Sequence, residues 1–138
     1  MATYTKFNSF QEALAEKVHN LGSDQLKVAL TNTAPNATDS TLSQITEVSY
    51  TNLSTRNITT STSSQSSGTY KLVVADLALT STGGSTGSFR YVVIYNDTAT
   101  NDELICYYDI GSNLTLSSGE TLNLNFDGTN GLLTLAVA

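Results

Sequence analysis

From residue 69 to residue 137 the chain is a succession of short apolar segments cut by polar turns. TYKLVVADLAL (69–79), SFRYVVIYN (88–96) and ELICYYDI (103–110) are rich in Val, Ile, Leu and Tyr. NLTL (113–116), TLNLNF (121–126) and GLLTLAV (131–137) follow. In TLNLNF the alternation is clean: Leu122, Leu124 and Phe126 read inward, Asn123 and Asn125 outward. Gly83-Gly84, Asn96-Asp97 through Asn101-Asp102, Ser118-Gly119 and Asp127-Gly128 supply the turn signals. Strands that recur every 8–14 residues with short polar connections predict an antiparallel β-sandwich or jelly roll.

The N-terminal third reads differently. Phe7, Phe10, Leu14, Val18 and Leu21 recur at spacings of three and four, one face of a helix. Ser9 and Glu12 have capping-box spacing and Gly22 suits a C-terminal cap, so the helix is predicted at about 9–21. Period-two alternation then predicts a strand at about 25–32, with Leu26, Val28 and Leu30 inward. A short helical turn is expected near Ser40–Glu47. Residues 54–68, STRNITTSTSSQSSG, read as an exposed edge strand or ordered loop. All 138 residues fit a single domain, mainly β with one amphipathic helix.

Composition narrows the function classes. Charged residues are only 13% of the chain; 22 Thr, 17 Ser and 12 Asn replace them. The net charge is −6 and the pI is near 4.4. The six basic residues (Lys6, Lys17, Lys27, Arg56, Lys71, Arg90) are at least ten apart. That pattern cannot neutralise a phosphate backbone or an anionic membrane surface, so no nucleic-acid or membrane partner is expected. The opening MATYTKFNSF lacks an apolar core after a basic segment, and no stretch approaches ~18 apolar residues. Synthesis and folding in a cytoplasm are the expectation, and the single Cys106 agrees with a reducing compartment.

No chemical motif survives its own requirements. Gly83-Gly84-Ser85-Thr86-Gly87 matches G-x-S-x-G, but a strand follows it and the only histidine, His19, lies upstream. His19 has no second ligand at metal-binding spacing. Asn123-x-Asn125-x-Asp127-Gly128 begins like a calcium loop, but Thr134 stands where the bidentate Glu is required. Asn96, Asp97, Asn101, Asp102 and Glu103 form a second polar cluster, read as a hairpin loop, with a cation site across its two turns as the alternative. Cys106 is assigned to a face with Leu104, Tyr108 and Ile110, as a small core hydrophobe. No cofactor, metal or catalytic residue is assigned, and a non-enzymatic protein is expected.

Several phrases together resemble a known class. They are Thr5-Lys6-Phe7-Asn8-Ser9-Phe10, Leu26–Asn32, and Tyr95-Asn96-Asp97-Thr98-Ala99 through Glu103-Leu104-Ile105 to Tyr108-Asp109-Ile110-Gly111-Ser112. Gly119-Glu120-Thr121 and Phe126-Asp127-Gly128-Thr129-Asn130-Gly131 complete the set. The chain resembles small β-sandwich virion proteins of tailed bacteriophages, of the capsid decoration or cement type. The resemblance covers most of the chain and departs most at residues 50–66. It implies a virion location, the major capsid protein or other virion proteins as partners, and a homo-oligomer, a trimer before a dimer. A neck, tail or fibre component and a carbohydrate-binding adhesion module are the alternatives; the latter needs exposed aromatics such as Tyr50 or Tyr107.

The predicted strands 69–79, 88–96 and 103–110 are apolar on both faces, whereas a two-layer sandwich buries only one face of each sheet. The helix is expected to cover part of the outer face, spanning about 20 Å. Its residues Phe7, Phe10, Leu14, Val18 and Leu21 are the candidate partner or oligomer contacts.

Overall fold

The computed structural model describes residues 2–137. The strands are β1 (Thr3–Lys6), β2 (Leu26–Thr31), β3 (Asn57–Ile58), β4 (Thr60–Ser66), β5 (Thr69–Val74), β6 (Leu77–Thr80), β7 (Phe89–Asn96), β8 (Leu104–Leu114), β9 (Thr121–Leu124) and β10 (Leu133–Ala136). One helix, α1 (Phe10–Ala15), and a 3₁₀ turn (Leu42–Gln44) complete the elements. The fold is mainly β, and every paired strand is antiparallel.

A five-stranded sheet runs in the order β1-β8-β7-β2-β3. The opposite layer is built from β10-β5-β4 and the pair β6-β9. Leu26, Val28, Leu30, Val92 and Ile94 of the large sheet share one core with Leu72, Val74, Leu79 and Leu133 of the opposite layer. The predicted strand 69–79 is thus two strands, interrupted at Ala75-Asp76. The interruption has a physical fastening: the Asp76 carboxylate accepts the Phe126 N–H at 3.0 Å, where the facing segment also leaves β9.

Residues 54–68 hold β3 and β4. Among the described residues β4 sits at the end of its sheet with β5 as its one strand partner, which is the edge position expected. The β4–β5 hairpin turns on Ser67 and Gly68, with φ of 50° and 82°. Two successive positive φ values match the right-handed twist of the flanking strands.

Two sequence expectations are corrected. The first is the length of the helix, which ends at Ala15 rather than at 21. Lys17 adopts φ 68°, its N–H meets the Leu14 carbonyl, and the Val18 N–H meets the Ala13 carbonyl at 2.8 Å. These two bonds are a Schellman cap, closed by a lysine where glycine is usual. Ser9 makes no side-chain cap, so the Ser9/Glu12 capping box does not form.

The second correction is what covers the outer face of the large sheet. Phe7, Ala29, Val93, Tyr95 and Leu104 form a separate cluster there, and Ile45 from the long β2–β3 connection closes it with Leu42. That connection is held down at both sides: Val48 N–H to the Leu30 carbonyl, and Leu104 N–H to the Ser40 carbonyl, each at 2.9 Å. The helix instead sends Phe10 into the inner core.

Candidate functional site

The five candidate contact residues do not share a surface. Phe7 is buried on the outer side of the large sheet, while Phe10 and Leu21 are buried in the main core. Leu14 and Val18 are half-buried. The helix spans only Phe10–Ala15: Phe7 precedes it, and the chain reversal at Lys17 takes Val18 and Leu21 off its face. Phe10, with no exposed surface, belongs to the protein's own interior.

The same reversal builds a polar cluster. His19 is only 5% exposed and Asn96, at the end of β7, is fully buried. The Asn96 Nδ2 lies 3.0 Å from His19 Nδ1 and donates to the Asp24 carboxylate at 2.7 Å. Asn96 Oδ1 accepts the N–H groups of Thr98 and Ala99. The His19 ring stacks on Phe10 with centroids 5.5 Å apart. Burial pulls the His19 pKa below its ordinary value, and the nearby Glu103 and Asp24 carboxylates only partly oppose this. No sequence signal links His19 to Asn96, because 77 residues separate them and no shared motif spans both.

The other polar clusters are spent on turns. Asp97 pairs with Lys27 at 3.7 Å, and Asn101 bonds Glu103. Asp102 holds φ 52°, and its pKa is raised by partial burial and then by the Asp97 and Glu103 charges. Asp127 accepts N–H groups from Thr129 and Asn130, whose bonds hold its carboxyl below the usual range. Thr134, at the position a calcium loop would fill with Glu, pairs with Lys71 across β5 and β10. Among the described residues, no three His, Cys, Asp or Glu side chains gather as a metal site. Ser85 lies exposed in a loop that leads into β7, while His19 is committed to Asn96.

The tyrosines considered for stacking are also engaged. Tyr50 accepts the Leu30 N–H, donates to Glu47 at 2.7 Å and lies 3.6 Å beneath the Arg56 guanidinium. Tyr107 packs on Phe7 and edge-on to Tyr91. Beside them Arg90 forks onto Asp109 at 2.7 and 3.0 Å, and this pairing lowers the Asp109 pKa.

The uncharged part of the exposed surface is rich in hydroxyl and amide groups. Register with β5 places Thr62, Ser64 and Ser66 on the outer face of their sheet, opposite Val73, Lys71 and Thr69. All three are exposed, as are Asn123 on β9 and Asn125 just beyond its end. Among the described residues, Val137 is the one large apolar side chain that is strongly exposed, at 78%. No known protein family, curated protein or solved structure matches the chain.

Proposed function

We propose that the chain is a non-enzymatic structural protein of a tailed-phage particle, a capsid decoration (cement) protein. In this reading it binds the outer shell, contacts the major capsid protein and stabilises the joints between capsomers. Copies associate around a symmetry axis, with a trimer as the arrangement that the resemblance favours. One observation carries the reading: β4 exposes six of its seven residues, all of them Ser, Thr or Gln. From Asn57 to Tyr70 there is no charged side chain. A chain of net charge −6 can therefore place this flank against copies or shell without like charges meeting. Contacts made this way are polar and wet.

The test adds purified protein to shells that lack it and follows co-sedimentation. Thr62→Asp and Ser64→Asp put charge on an exposed face without disturbing the core, so both should weaken shell binding while the far-UV spectrum is unchanged. Leu14→Asp, on α1 rather than β4, should leave binding intact. No association of the wild type with any shell would defeat the decoration reading.

A further inference from the structure

We infer that His19 is an acid-operated latch: its neutral ring fastens the Glu16–Gln25 segment to the β7–β8 turn, and protonation at Nδ1 releases it. The argument rests on which atoms must donate. Asn96 Oδ1 is occupied by the Thr98 and Ala99 N–H groups, at 3.0 and 3.2 Å. Its Nδ2 is pinned to the Asp24 carboxylate. The amide therefore cannot turn over without losing three bonds, and it presents N–H to His19. His19 Nδ1 must accept, so the ring proton resides on Nε2. That Nε2 is buried and, among the described residues, has no hydrogen-bond partner.

A proton added to this ring goes to Nδ1, the one nitrogen with a free lone pair. Nδ1–H then faces the Asn96 N–H at a separation of 3.0 Å, donor against donor, and the bond is lost. The charged groups around the ring are Asp24 on its own segment, Glu103 at the entry to β8, and Lys17 in the same surface depression. The Asp24 carboxylate already accepts the Asn20 N–H at 2.7 Å as well as Asn96. Phe10 fills one face of the ring and offers no acceptor.

Elsewhere the segment is held by Leu21 in the core, by the Gln25 side chain donating to the Ile58 carbonyl at 2.8 Å, and by two further bonds to the β7–β8 turn. The Asp97 N–H meets the Gln25 carbonyl and the Gln25 N–H meets Thr98 Oγ1, each at 2.8 Å. Both lie on the same turn as Asn96, so losing the His19 bond loosens one connected patch. The sign follows from the direction of the shift. A histidine whose folded pKa lies below about 6.5 holds fewer protons folded than unfolded below that pH. The latch is complete above about 6.5 and weakens as pH falls beneath it. Opening uncovers Leu21 and the flank of Phe10, apolar surface that the neutral protein keeps inside.

Nuclear magnetic resonance on the whole chain tests this. Near neutral pH the His19 nitrogen shifts should report the Nε2–H tautomer, and the ring should titrate below about 6.5. Between about pH 7 and pH 5, amide protection at residues 19–26 and 96–99 should fall about tenfold, while β7 and β2 interiors stay protected. In His19→Gln, protection of the same amides should lose its pH dependence. An Nδ1–H tautomer, a titration at or above 6.5, or unchanged protection in the wild type would each overturn the latch. The wild-type tautomer and titration decide even if His19→Gln does not fold.

Discussion

Cys106 has no exposed surface, and a one-residue bulge decides which layer it joins. In β7 and β8, Ile94 faces Cys106 and Tyr95 faces Leu104, so Ile105 is the extra residue. Ile105 and Cys106 both enter the main core, with Tyr108 and Ile110, while Leu104 turns to the outer cluster. Strict alternation puts Leu104 and Cys106 together; the bulge separates them, and nothing in ELICYYDI announces it. Burial pushes the Cys106 thiol up to about 12. Thiol reagents should therefore label it slowly in the native protein and quickly once it is unfolded; immediate native labelling would contradict this packing. Cys106→Ser should cost about 1–3 kcal/mol by urea denaturation, because a hydroxyl there replaces an apolar contact.

At the scale of elements, period-two patterns were legible and three-and-four spacing misled. Leu26, Val28 and Leu30 gave β2 directly through alternation, although Ala29 and Thr31 on its other face are covered as well. The Phe7–Leu21 series overran the helix because the stop is Lys17, a residue with no intrinsic preference for positive φ. Lys17→Gly should stabilise the fold by about 0.5–1 kcal/mol, since glycine adopts that conformation without the steric penalty. A loss of stability would contradict the Schellman cap. Phe10→Asp should unfold the chain, whereas Leu14→Asp should leave it folded; denaturant melts of the two distinguish an interior helix face from a docking one. Ile45→Ala should cost about 2–4 kcal/mol, the price of opening the outer cluster, although Ile45 lies in a connection with no long element of its own. Removing the Ser85 hydroxyl should change neither stability nor particle binding.

For the molecule as a whole, the sandwich was legible because its signals are local: strand, turn, strand. The cover of the outer face was not, because Ile45 meets Val93 and Leu104 only through long-range pairing. With 45% strand and 7% helix, the far-UV circular dichroism should be β-dominated, and a helix share above about a third would contradict the fold. Acid should act in two windows. The first lies below about 6.5, where neutral His19 becomes costly. The second lies lower, in the carboxylate range, where the depressed pKa values of Asp109 and Asp127 mean that their support is lost as they take up protons. Ile45, Leu42 and Phe7 cover the outer apolar face from within the chain, so that face does not require a second copy. The oligomer proposal rests on the uncharged β4 flank and on the resemblance. The proposed decoration role is most directly tested by quantitative mass spectrometry of purified tailed-phage particles, counting this protein against the major capsid protein. A decoration role predicts copies on the order of hundreds per particle, in fixed proportion to the shell. A count of about a dozen would place the protein in the neck or tail, and its absence from the particle would contradict the account.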